Sequence, residues 1–173
     1  MSTVEKRFHF RNRAVTRARP HAPGKFMLGV VALLSASVCA ENAQRPESLI
    51  KWRQSAYQVI AWNSGRIKAA LAGSYPRQEV QSAANALAAV ANSGLATLFI
   101  PGTASGKGWR ETTAREEVFS DAEKFRALTE EFAREANTLA RVAAAGDRTT
   151  VNEQFLKVAQ TCKSCHNQFR QTD

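Results

Sequence analysis

Near its C-terminus the chain reads Cys162-Lys163-Ser164-Cys165-His166, and this run constrains the fold as much as the chemistry. Side chains three apart share one face of a helix, so a helical backbone aims both sulfurs the same way. Cys-x-x-Cys-His is the attachment signature of c-type haem: each thiol adds across a vinyl group, and the adjoining histidine reaches the iron. Phe155, Val158, Cys162, Cys165 and Phe169 recur at alternating spacings of three and four, the stripe of an amphipathic helix. The pattern predicts a helix whose inward face holds a large flat group.

Two rival readings of the same run are weaker. A zinc site would have Cys162, Cys165 and His166 but would lack a fourth histidine or cysteine once any leader is removed. A thioredoxin-like dithiol belongs beside a βαβ unit, and no alternating strand pattern is present.

The first forty residues read as a secretory leader. Lys6, Arg7, Arg11, Arg13, Arg17, Arg19 and Lys25 form a basic stretch opposed only by Glu5. An apolar run from Phe26 to Ala40 follows, ending in the small-residue pattern Val38-Cys39-Ala40. That run is shorter than the roughly 20 residues of a membrane span, which disfavours an uncleaved anchor. Cleavage after Ala40 leaves a haem domain over 41–173 and lowers the net charge from +9 to +3. The basicity is therefore mostly in the leader, and neither a nucleic-acid footprint nor a membrane partner is expected for the mature chain. Export and covalent haem attachment agree, and they point to the periplasm.

Helical periodicity occurs four times, which predicts an all-α antiparallel four-helix bundle with one long loop between helices 2 and 3. The first helix is expected from Pro46 to about Ala72, before Gly73. The second is expected after Ser74-Tyr75-Pro76, reaching about Asn92, with Val80, Ala84, Leu87 and Val90 inward. Capping boxes at Ser120 with Glu123, and at Thr150 with Glu153, mark the starts expected for the third and fourth. The Gly-rich loop over 93–119 lacks the ordered spacing of a P-loop and no strand precedes it, so it reads as a crossover.

The ligand inventory bears on the iron. The histidines are His9, His21 and His166, and the methionines are Met1 and Met27, so a chain cut after Ala40 keeps one histidine and no methionine. Met/His and bis-His ligation cannot then form within it. Unless Tyr57 or a lysine binds the metal, the iron is five-coordinate through His166, with a sixth position open to a diatomic ligand.

In several pieces the chain resembles the cytochrome c prime family of periplasmic four-helix-bundle cytochromes. The resemblance rests on Trp52-Arg53-Gln54-Ser55-Ala56, Gly65-Arg66-Ile67, Pro101-Gly102-Thr103 and the haem motif followed by Phe169-Arg170. It implies one covalent haem c held by Cys162 and Cys165, with His166 as the metal ligand. It further implies Arg53 and Gln54 near the propionates, Arg170 beside the proximal imidazole, Thr113 as a loop contact and Tyr57 on the distal face. Homodimers through the first two helices are also implied, with the alanines at 83–84 and 86–91 as candidates for close approach. The function expected is binding of small gases, nitric oxide and CO, with nitric oxide sequestration as the role. The alternative is one-electron transfer with a periplasmic redox partner, in a respiratory or photosynthetic chain. A peroxidase would want a distal acid–base histidine, and the mature chain has none to spare, so no enzyme is expected.

Overall fold

A computed structural model describes residues 45–171, so the leader and its cleavage site lie outside the described residues. Four long helices carry the fold: α1 (Pro46–Ala72), α2 (Arg77–Ala91), α4 (Ala122–Ala145) and α5 (Arg148–Phe169). A four-residue helix, α3 (Glu117–Ser120), and a 3₁₀ turn over Leu95–Leu98 interrupt the long connection between α2 and α4. The chain is a four-helix bundle in which α1 packs on α2, α2 on α4 and α4 on α5.

Pro46 starts α1 because its missing N–H falls where the helix has no acceptor, and Glu47 in the first turn complements the helix dipole. After Gly73 the chain turns sharply, with Tyr75 at φ 54° just before Pro76. Two helix starts differ from the sequence expectation. Ser120 belongs to α3, so it adopts helical geometry and Asp121, at φ −119°, takes the position before α4. At α5 the cap is Asp147, whose carboxylate accepts from the Thr150 backbone N–H at 2.9 Å, and Thr150 lies inside the helix. Asp147 has extended geometry, which a cap needs, and its carboxylate sits three residues upstream of the free N–H.

The bundle has two unlike ends. At one, Ile67, Leu71, Val80, Leu87, Leu139, Val151 and Val158 close around a filling of alanines. Ala83, Ala84, Ala88 and Ala91 are buried there, so they serve packing within the chain rather than contact between copies. At the other end a smaller cluster of Val118, Phe125 and Phe169 meets half-buried Phe99, Leu128 and Cys165. The Arg148 guanidinium donates to the Leu71 carbonyl and ties α5 to α1 at the packed end. Towards the aromatic end a cavity lies between the two helices.

Candidate cofactor site

The cavity has a volume of about 600 Å³, in the range of small-molecule and cofactor sites. Cys162, Cys165 and His166 of α5 and Arg170 just past its end, Arg53, Gln54 and Tyr57 of α1, and Thr113 of the loop all line it. Every site residue expected from the sequence thus lines the same cavity, contributed by α1, the loop and the C-terminal end of α5. The α5 stripe is rotated slightly from expectation. Val151, Gln154, Val158, Thr161 and Phe169 are buried in contact, whereas Phe155, Cys162 and Cys165 are half-buried. The rotation turns the thiols out of the packed core and towards the cavity.

Burial raises the Cys162 thiol above its ordinary range and pushes Cys165 up to about 11, with the neighbouring Cys162 adding to the second shift. Burial also lowers the pKa of His166, helped by the charge of Arg170. His166 is therefore neutral at pH 7, with an imidazole lone pair available to a metal. The C-terminal end of α5 is fixed by the loop. The Arg115 N–H donates to the Phe169 carbonyl at 3.0 Å, and the Gln171 N–H donates to Thr113 at 2.8 Å.

Arg53 is the most telling side chain. It is 3 % exposed, and its guanidinium donates to the Thr103 hydroxyl at 2.9 Å, to the Thr103 carbonyl and to the Thr112 hydroxyl at 2.7 Å. It also stands over the Phe99 ring at 4.6 Å. Among the described residues no carboxylate pairs with it. Buried charges are paired in stable proteins. A buried cation on a cavity wall with neutral partners only fits a ligand that brings its own carboxylates, as haem does.

Tyr57 faces the cavity from α1, edge-on to Phe99 at 6.5 Å. Its phenol is pushed well above its ordinary value, first by burial and then by Cys165, against the opposing charge of Arg53. It remains a neutral phenol throughout the physiological range. Phe99, Phe125 and Phe169 continue edge-to-face at 4.8 and 5.3 Å and give the cavity an apolar lining.

Sequence reasoning missed Thr112, Phe99 and Phe125, and it gave Thr103 no role beyond its motif. Thr103 is fully buried and is the main anchor of Arg53. The Thr112 hydroxyl, one position from the residue singled out, accepts from Arg53, and its backbone N–H donates to the Gly106 carbonyl at 2.9 Å. Gln54 also has a use unread in the sequence. Its carbonyl accepts from the Trp109 N–H at 2.7 Å and its amide donates to the Arg110 carbonyl at 2.9 Å, clasping the loop to α1. That clasp needs Gly108, because a Cβ there would lie 2.7 Å from the Lys51 nitrogen and 2.9 Å from Ile50.

The profile of the family described as Cytochrome C' matches residues 48–170. The chain belongs to the cytochrome c prime family. A cytochrome c prime from Rhodocyclus tenuis is 49 % identical over 130 residues, covering 75 % of this chain and 98 % of that one. A solved cytochrome c prime with an unusual ligand-controlled dimer dissociation is 42 % identical, with a TM-score of 0.71, covering 74 % of this chain and 98 % of that one. A nitric oxide complex of a single-site variant of the Alcaligenes xylosoxidans cytochrome c prime is 29 % identical, with a TM-score of 0.67 and coverages of 75 % and 98 %. The cofactor of the family is covalent haem c, and here Cys162 and Cys165 are the attachment thiols. Bound haem supplies an iron centre able to take a small ligand or an electron.

Proposed function

We propose that this protein is a periplasmic gas-binding cytochrome whose role is to sequester nitric oxide, with CO as a second ligand. The observation that carries the reading is the ligand set of the cavity wall. Among the described residues lining it, His166 is the one histidine, and no methionine is present. Tyr57 faces the same space but holds its proton, so phenolate coordination is disfavoured. His166 alone would bind the iron, Arg53 would face a propionate, Gln54 and Thr113 would hold the loop side, and Arg170 would flank the imidazole. The nitric oxide complex of the Alcaligenes xylosoxidans relative supports this ligand class. The wall offers no histidine beyond the one assigned to the metal, so no acid–base pair for an enzymatic reaction is assigned.

The test is the visible spectrum of the reduced, haem-loaded protein before and after CO or nitric oxide. Broad high-spin bands that shift on ligand addition support an accessible five-coordinate iron. Sharp low-spin bands unmoved by either gas would replace the reading with one-electron transfer.

The proposal extends to a homodimer through the exposed face of α1. Trp52, Val59 and Trp62 are exposed there, and a Cβ at Gly65 would meet nothing within 4 Å. An interior helical glycine costs roughly 0.5–1 kcal/mol relative to alanine, and nothing within the chain requires this one. The relative with ligand-controlled dimer dissociation supports the assembly. Sedimentation of Trp62→Glu checks it: a shift from dimer to monomer supports the face, and an unchanged dimer moves the contact elsewhere.

A further inference from the structure

Trp109 is 67 % exposed, yet it is held in one orientation. Its indole N–H donates to the Ser55 hydroxyl at 2.8 Å, its backbone N–H donates to Gln54 at 2.7 Å, and the Lys51 ammonium stands 4.9 Å from its ring centroid. Immobilising a large aromatic on the surface does little for a core that it does not enter. Rigid exposed tryptophans are instead the usual anchors of protein interfaces.

Two further features surround it. The niche formed by Trp109, Gln54, Gln58 and Arg110 shares the last three with the wall of the cofactor cavity, so the surface lies over that cavity's edge. Its charge is basic. Lys51, Lys107 and Arg110 are exposed, and among the described residues none is in an ion pair; Glu111 is the one acid in the loop segment 107–111. Ferric haem with both propionates ionised carries one net negative charge, which the buried Arg53 offsets, so the rim keeps its positive excess.

We propose that this rim, centred on Trp109, docks an acidic one-electron carrier protein. The assignment rests on the reading that the cavity holds haem. A second copy of the chain fits the rim poorly, because a two-fold contact would set Lys51, Lys107 and Arg110 against their own equivalents. A complementary acidic surface would be steered to the rim and would place its redox centre against the cofactor edge. In the transfer one electron leaves the carrier, which is oxidised, and enters the ferric iron, which becomes ferrous; no bond forms or breaks.

The probe is a reduced plant-type ferredoxin, a strongly acidic carrier, mixed with the ferric haem-loaded protein in stopped flow. Replacing two rim charges, Lys51→Gln with Lys107→Gln, lowers the second-order rate about tenfold at low ionic strength, and the difference closes in about 0.5 M salt. Trp109→Ala lowers the rate about fivefold at both salt concentrations, as loss of an apolar anchor does. An equal charge change elsewhere, Lys68→Gln with Lys157→Gln, leaves the rate within about twofold. Dithionite reduction and the CO spectrum, recorded for every variant, show that the haem and fold are intact and separate failure here from failure of the haem reading. Rates unchanged in the rim variants, or equally reduced in the control pair, overturn the proposal. Dissociation of a dimer by Trp109→Ala would assign the face to a second copy and overturn it as well.

Discussion

The two ends of the bundle solve the packing problem differently. At the end built on Ile67, Leu87, Leu139 and Val151, side chains of four helices fill the space, and alanines let the backbones come close. At the other end four aromatic rings from α1, the loop, α4 and α5 make an edge-to-face wall that encloses a cavity of about 600 Å³. Close-packed interiors draw stability from their own contacts, whereas a lined cavity gains it when something fills the space. One end is therefore stabilised by the chain and the other by its cofactor.

The sharpest way to break this division is to remove the haem attachment. With Cys162→Ala and Cys165→Ala, amides of the last turns of α5 and of the 113–121 segment lose hydrogen-exchange protection by about a hundredfold or more, while those of Ala83–Ala88 and Ala136–Ala143 keep most of theirs. Uniform loss at both ends would show a single cooperative unit and end the comparison. Next in size is the packed end itself. Leu139 is fully buried, so Leu139→Ala costs about 2–5 kcal/mol in chemical denaturation. Leu128→Ala, on the cavity wall and half-buried, costs less and alters CO binding instead. A reversal of that order would contradict the assignment of the two ends.

Arg53 serves both fold and site, since it anchors the loop and leaves its charge to the cavity. Arg53→Met takes the guanidinium donor from the buried Thr103 carbonyl, while the Thr103 hydroxyl keeps its bond to the Ile100 carbonyl, and costs about 1–3 kcal/mol in the haem-loaded protein. Arg53→Lys, which keeps the charge but not the fork of donors, recovers only part of that loss. Full recovery by lysine would mean that charge alone matters there. A smaller effect on stability, though a visible one on ligands, is expected at Tyr57. Tyr57→Leu removes a ring facing the cavity and raises the CO on-rate about tenfold, equivalent to about 1.4 kcal/mol of barrier. Equal rates in flash photolysis would exclude Tyr57 as a gate.

Much of this organisation was legible in the sequence because it is periodic or chemically rare. Phe155, Val158, Cys162, Cys165 and Phe169 announce a helix, and the cysteine pair with His166 announces its cofactor. What escaped depends on contacts between distant segments. Arg53 meets Thr103 and Thr112 across separations of 50 and 59 residues. A solitary threonine beside Pro101-Gly102 carries no sign that a guanidinium will find it. The clasp of Gln54 on Trp109 is equally silent, since glutamine and tryptophan both read as ordinary surface or core residues until Gly108 brings the loop down on α1. The alanines of α2 were ambiguous for the opposite reason: small residues allow close approach to any helix, inside or outside the chain.

The helix starts show the same limit on a smaller scale, and they carry the last and smallest expected effect. Thr150 with Glu153 has the spacing of a capping box, but the backbone turns extended three residues earlier, at Asp147, and that geometry decides which oxygen reaches the free N–H. The bonds from Thr150 hold the Asp147 carboxyl below the usual carboxylate range. A depressed folded-state pKa gives stability that is present above the unfolded value and lost as pH falls through the folded one. Asp147→Ala should therefore lower Tm slightly at pH 7, and the difference from wild type should shrink as pH falls through the depressed carboxyl pKa. Thr150→Val, which keeps the backbone N–H, should retain most of the wild-type pH dependence. If Thr150→Val abolished it while Asp147→Ala did not, the cap would belong to the threonine hydroxyl. Because α5 begins at the packed end, neither change should move the CO spectrum, whose determinants lie about 15 residues further along at Cys162 and Cys165, some four turns of helix away.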